Sequence, residues 1–183
     1  MLAPVVSKRY AEALFAAAQD ARLVTEVESD LMALATGVRE PAIAAALRNP
    51  TLDAKTQKAT VLGAVDARLR TNLVRNVIAL AIDRRRAEML FSLADAYHRL
   101  ALESRGEAEG VVESAKALSE AEMRDIEATL SKATGKRVRL QAHVRPELLG
   151  GLRATVGSLR YDSTAKTRLA ELREKLLSAR IEG

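Results

Sequence analysis

Apolar residues recur every three or four positions through the first 105 residues, and every second position in parts of the remainder. The first spacing is that of a helix with one buried side, the second that of a strand with one buried face. The helical period predicts helices over about 5–19, 24–36, 40–48, 53–65, 68–82 and 85–104, with no strand among them. Gly37 and Pro41 separate the second from the third. Asn49-Pro50 ends the third, because the residue before a proline resists the helical conformation. Thr51 or Asp53 is placed to cap the fourth, Gly63 and Asp66 weaken its end, and Asp83 is placed to cap the sixth. Six short helices with short connections predict an antiparallel bundle.

At Ser104-Arg105-Gly106 the pattern changes. Residues 108–115, with Val111-Val112, read as a strand. Ser119 and Glu122 have the spacing of a capping box, so a helix begins there, and Thr134-Gly135 ends it. Val138, Leu140, Ala142 and Val144 alternate with Arg139, Gln141 and His143, which predicts a half-buried strand stopped by Pro146. Leu152, Ala154 and Val156 alternate again, with Gly157 placed for a bulge. A last helix is predicted over about 163–180, with Leu169, Leu172, Leu176 and Leu177 on one stripe. The expected fold is therefore mainly α: a six-helix bundle over 1–105 and a small α+β domain, βαββα, over 106–183.

Two of the helices are apolar over too wide an arc. On a wheel of about 100° per residue, Val6, Tyr10, Ala13 and Ala17 form one edge of the first helix. Ala11, Phe15 and Ala18 form the other, with Leu14 between them. The fifth repeats the feature. Val74, Ile78, Ala81 and Ile82 make one side, and Leu69, Leu73 and Leu80 the other, flanked by Asn76. A helix on a domain surface needs an apolar stripe of only about 100°. Either both helices are buried all round, or one edge of each remains open to receive a partner's amphipathic helix. The two arrangements differ in whether Tyr10 and Leu80 are covered.

Composition narrows the chemistry. Of 183 residues, 48% are hydrophobic but only 3% aromatic, so the cores rest on Ala, Leu and Val. Cysteine is absent, which removes disulfides, thiolate metal sites and cysteine nucleophiles. The two histidines, His98 and His143, are far apart in the chain, which does not suit a zinc site. No convergent pair of carboxylates is marked for acid–base work, so no cofactor, metal or enzymatic activity is expected. No apolar run approaches the ~20 residues that span a bilayer, and the start resembles neither a secretory signal nor a transit peptide.

The net charge of +5 is spread along the chain. Asp83-Arg84-Arg85-Arg86 is the only dense charged run, and it reads as a solvated helix start. Gly150-Gly151 reads as a tight turn, since the spacing of a dinucleotide loop is missing. The pI of about 9.7 and the small second sheet leave one alternative class, a basic nucleic-acid-binding module. Such sheets present stacking aromatics, and only Tyr161 is available there.

The order of motifs is similar to that of one known family along essentially the whole chain. Arg9-Tyr10-Ala11-x-Ala13-x-Phe15 comes first, then Asn49-Pro50. Asn72-Leu73-Val74 leads to Ile82-Asp83-Arg84-Arg85-Arg86, and Leu118-Ser119-Glu120, Gly135-Lys136 and Gly150-Gly151 complete the series. The chain resembles the delta subunit of the F-type ATP synthase, the oligomycin-sensitivity-conferring protein of mitochondria. Many members carry a glycine in the turn where this chain has only Arg84, Arg85 and Arg86.

The resemblance implies a six-helix N-terminal bundle and a smaller C-terminal domain, acting as a non-catalytic static link between the catalytic head and the peripheral stalk. That link resists the torque of the rotor during proton-driven ATP synthesis. It points to Tyr10, Ala13, Asn76 and Leu80 as positions that contact the N-terminal helix of an alpha subunit. The helical wheel adds Val6, Ala17, Leu69 and Leu73. The C-terminal region of the b subunits is expected on the last helix, around Leu172 and Leu176. Membrane association is then indirect, through the complex, at the cytoplasmic face of a bacterial inner membrane or, alternatively, for a processed organellar subunit. No nucleic-acid partner is expected.

Overall fold

The computed structural model describes residues 3–49, 51–148, 150–157 and 159–163. The predicted last helix, with Leu172 and Leu176, lies outside them. The chain divides into two compact units, Met1–Ala101 and Leu102–Gly183. Among the described residues the structure is mainly helical, with seven α-helices and one four-stranded sheet.

The first unit holds α1 (Ala3–Asp20), α2 (Val24–Gly37), α3 (Pro41–Arg48), α4 (Ala54–Val65), α5 (Asn72–Asp83) and most of α6 (Leu90–Ser104). Local chemistry sets several of these ends. Pro41 opens α3, where its missing N–H costs nothing. Asn49 Oδ1 accepts from the backbone N–H and hydroxyl of Thr51 at 3.0 and 2.7 Å, making the turn that leaves α3. Asp53, not Thr51, caps α4, accepting from Thr56 N and Oγ1, both at 2.8 Å. Those bonds to the ionised form hold the Asp53 carboxyl below its usual range. At the end of α2, a Cβ on Gly37 would lie 2.5 Å from Val65 Cγ1, so glycine there lets α2 and α4 approach closely.

The core runs through all six helices. Leu31, Leu34, Val61, Val65, Ile78, Leu90, Leu93 and Tyr97 are essentially inaccessible. Tyr97 meets Phe15 edge-on at 5.5 Å, and its hydroxyl donates to Val24 O at 3.2 Å. Burial pushes that phenol up to about 12, with Glu28 and Glu26 adding to the effect.

The expected start of the sixth helix needs correction. Asp83 does not cap it. Asp83 is the last residue of α5, and a 3-10 turn at Ala87–Met89 precedes α6. Between them the backbone reverses through Arg85, at φ 55°. Arg86 N donates to Ala81 O at 2.8 Å and Arg85 N to Ile82 O at 2.9 Å. This is a Schellman ending with arginine where glycine is normally preferred. Arg22, at φ 58°, ends α1 in the same way.

The second unit orders its strands β2-β1-β3-β4, from β1 (Glu107–Ser114), β2 (Arg137–Val144), β3 (Leu152–Val156) and β4 (Leu159–Asp162). The strands β1 and β2 are parallel and joined through α7 (Glu120–Thr134), while β3 pairs antiparallel with both β1 and β4. Ser119 and Glu122 form the predicted capping box, and Gly135 ends α7 at φ 67°. Val112, Leu130, Val138, Ala154 and Val156 make the small core.

Two expectations change here. Gly157 is not a bulge but lies at φ 59° in the tight connection from β3 to a fourth strand that the sequence pattern missed. The inward alternation of β2 is buried only at Val138 and half-buried at Leu140; Ala142 is exposed and Val144 is 50% exposed.

Candidate functional site

Helix α1 packs against α5, and each buries one side completely. Ser7, Ala11, Leu14 and Ala18 form the inner side of α1, and Val74, Ile78, Ala81 and Ile82 that of α5. Inner α1 is tied down by polar contacts as well: the Ser7 hydroxyl lies 2.6 Å from Ser92 Oγ and 3.3 Å from Met89 O.

The opposite edges are graded rather than sealed. On α1, Val6, Tyr10 and Ala17 are half-buried and Ala13 is exposed. On α5, Leu73 is half-buried, Asn76 is exposed, and Leu80 leaves 44% of its surface open. Val6, Tyr10 and Leu73 rest against the core at their inner ends. Of the two arrangements open from sequence, burial all round does not hold for either helix. Leu80 is the large apolar side chain that these two edges leave most open.

Leu69 is a correction. It is 5% exposed and belongs to the core, so it offers no surface to a partner. The wheel placed it on the fifth helix, but that helix begins at Asn72, and Leu69 is extended, after a 3-10 turn at Asp66–Arg68. Arg75 fixes this geometry by donating to Leu69 O at 2.9 Å and Asp66 O at 3.2 Å and by pairing with the Asp66 carboxylate. Val77, half-buried against the core one turn beyond Leu73, belongs to the open edge and was missed. Its spacing of four from Leu73 was the available signal.

The N-terminus of α5 is held from another helix. Asp30, on α2, is 1% exposed; its carboxylate accepts from Arg70 N at 2.9 Å, Thr71 N at 2.8 Å and Thr71 Oγ1 at 2.7 Å. A buried anion at a helix N-terminus is stabilised by unpaired N–H groups and by the helix dipole. Asp30 therefore sets where α5, and with it Leu73 and Leu80, stands.

Three arginines of the second unit are engaged locally. Arg153 reaches Asp162 at 3.0 Å and Glu113 at 3.6 Å, Arg145 reaches Glu113 at 3.3 Å, and Arg160 reaches Asp162 at 3.6 Å. Cations that face their own carboxylates are poorly suited to track phosphates, so these three do not make the focused basic face of a nucleic-acid binder. Among the described residues no three His, Asp or Glu side chains converge as metal ligands, and no helix is long and apolar enough to cross a membrane.

The comparisons with known proteins point one way. A family model described as ATP synthase delta (OSCP) subunit matches residues 6–176. The ATP synthase subunit delta of Symbiobacterium thermophilum is 36% identical, with 100% of both chains covered. That of Syntrophobacter fumaroxidans is 34% identical over 94% of each chain. A chain in the cryo-EM structure of the Toxoplasma gondii mitochondrial ATP synthase hexamer has the same fold, with a TM-score of 0.71 at 24% identity, over 93% of this chain and 97% of that one.

Proposed function

The chain belongs to the ATP synthase delta (OSCP) subunit family, and from that premise we propose how its two units divide the work. Its role is that of a structural, non-catalytic stator subunit in the peripheral stalk of a membrane-bound ATP synthase, and its partners are other subunits of that complex. The six helices act as one bundle that grips the catalytic head. The open edges of α1 and α5, with Val6, Tyr10, Ala13, Ala17, Leu73, Asn76 and Leu80, receive the N-terminal helix of an alpha subunit. The region 106–183 holds the C-terminal end of the b subunits, with Leu172 and Leu176 in that contact. The subunit is peripheral, at the cytoplasmic face of a bacterial inner membrane.

The observation that carries the reading is Leu80, 44% exposed on a helix whose other side is wholly buried. Seating an amphipathic helix there removes apolar area from water without any moving part. A few hundred Å² on each side, at ~25 cal/mol/Å², gives several kcal/mol before the cost of association. A static link needs slow release more than fast capture, and packed apolar contacts supply it. Co-sedimentation tests the link. The full chain should bring the isolated head and membranes carrying the b subunits into one complex. Heads that stay in the supernatant would refute it.

A further inference from the structure

Beside the open edge of α1 lies a cleft of about 590 Å³. It is walled by the end of α3, the start of α4, the end of α5 and the turn into α6, and Val6 of the α1 edge is part of its lining. Its floor is apolar, with Leu47, Leu52, Ile82 and Met89; its rim carries Arg48, Arg85 and Arg86.

Three carboxylates also line the cleft, but two of them are committed. Asp53 is the cap of α4, and Asp83 binds Lys58 at 2.6 Å, leaving Glu88. Arg48 lies over the Phe91 ring at 4.8 Å. Arg85 and Arg86 are exposed, and among the described residues no carboxylate pairs with either. The free charge at the mouth is therefore positive above an apolar floor. Arg85 holds this place at φ 55°, a conformation that a long side chain adopts at a cost and glycine adopts freely. Backbone strain at a cleft rim is a pointer to a use for the side chain.

We propose that this cleft receives an acidic stretch of the partner helix that lies on α1 and α5, its apolar side chains on the floor and its carboxylates on Arg85 and Arg86. The inference rests on the α1–α5 reading above and extends it. Val6 belongs to both the open edge of α1 and the lining of the cleft, so a segment seated on that edge continues into the cleft. The charged contacts fix the register of that helix and steer its approach, which apolar packing alone does weakly.

The test uses the full-length chain and a synthetic N-terminal peptide of the alpha subunit from the same organism, measured at low salt and at about 0.5 M NaCl. The chosen variant is Arg85→Gly with Arg86→Gln. Glycine suits the positive φ at 85, so this protein should melt no lower than the wild type, and a weaker interaction is not a folding defect. Its affinity should fall roughly five- to tenfold at low salt and match that of the wild type at high salt. Replacing every Asp and Glu of the peptide by Asn and Gln should cause the same loss in the wild type and none in the variant. Unchanged affinity of the variant, beside a Leu80→Asp protein that no longer binds, overturns the cleft proposal and leaves the α1–α5 reading intact. A wild-type protein that does not bind the peptide, or a Leu80→Asp protein that binds as before, overturns both.

Discussion

Asp30 and Thr71 stand 41 positions apart, yet one carboxylate oxygen of Asp30 accepts both the backbone N–H and the hydroxyl of Thr71, at 2.8 and 2.7 Å. Thr71 is the N-cap of α5 and makes no side-chain cap bond of its own. Replacing Asp30 by Ala should strand the N–H and hydroxyl of buried Thr71 and remove the acceptor of Arg70 N. A loss of about 2–4 kcal/mol is expected for the first unit in urea unfolding. Asp30→Asn should recover part of that, since one oxygen remains to accept. A loss below about 0.5 kcal/mol would mean that α5 is positioned by packing alone.

Arg22 and Arg85 make the opposite prediction, one of gain. Each holds a positive φ at a helix end, so glycine should relieve strain while adding some entropy to the unfolded chain. Arg22→Gly and Arg85→Gly should each raise stability by up to about 1 kcal/mol, and Arg85→Ala should not. Thermal melts of the three proteins decide it.

In the second unit the prediction concerns Gly110. A Cβ there would lie 2.5 Å from Thr155 O and 2.7 Å from Val156 Cγ2. Gly110→Ala should therefore prise β1 from β3 and cost about 1–3 kcal/mol. Faster amide exchange should appear in β1 and β3, with α1 to α6 unaffected. Uniform loss of protection across both units would contradict this.

Acid should fray two helices at their starts. The carboxyls of Asp53 and Glu122 are both held below their ordinary values, 3.8 and 4.5, by hydrogen bonds, from Thr56 and from Ser119 respectively. A depressed folded-state pKa means stability that is present above the unfolded value and is lost as pH falls through the folded one. Melting temperature should thus decline below about pH 4.5, and the decline should be shallower in Asp53→Asn and in Glu122→Gln than in the wild type. An equal slope in all three proteins would remove the caps from the acid response.

The sequence revealed most of the helical framework because its signals are local. Apolar period, Pro41, Asp53, and the Ser119–Glu122 box each act within a few residues. It revealed the wide apolar arcs of α1 and α5 as well, though not which edge stays open. What it hid depends on contacts distant in the chain or on rules broken locally. Leu69 turns inward because Arg75 and the 3-10 turn before it stop the helix that a wheel would extrapolate. The strand β4 is four residues long and carries Arg160 and Asp162, so it lacks an apolar run to announce it. Arg85 occupies a glycine conformation, which residue preference argues against. Asp30 reads as one acid among 24, and only its burial marks it out.

The most direct test of the central claim is titration of the alpha-subunit N-terminal peptide into the full-length chain and its Leu80→Asp variant. Leu80 serves better than Tyr10, because it is exposed and Tyr10 also rests against the core. The wild type should bind, and the variant should lose at least about thirtyfold in affinity with its helical circular dichroism and melting temperature unchanged. Equal affinity for the two proteins would contradict the account.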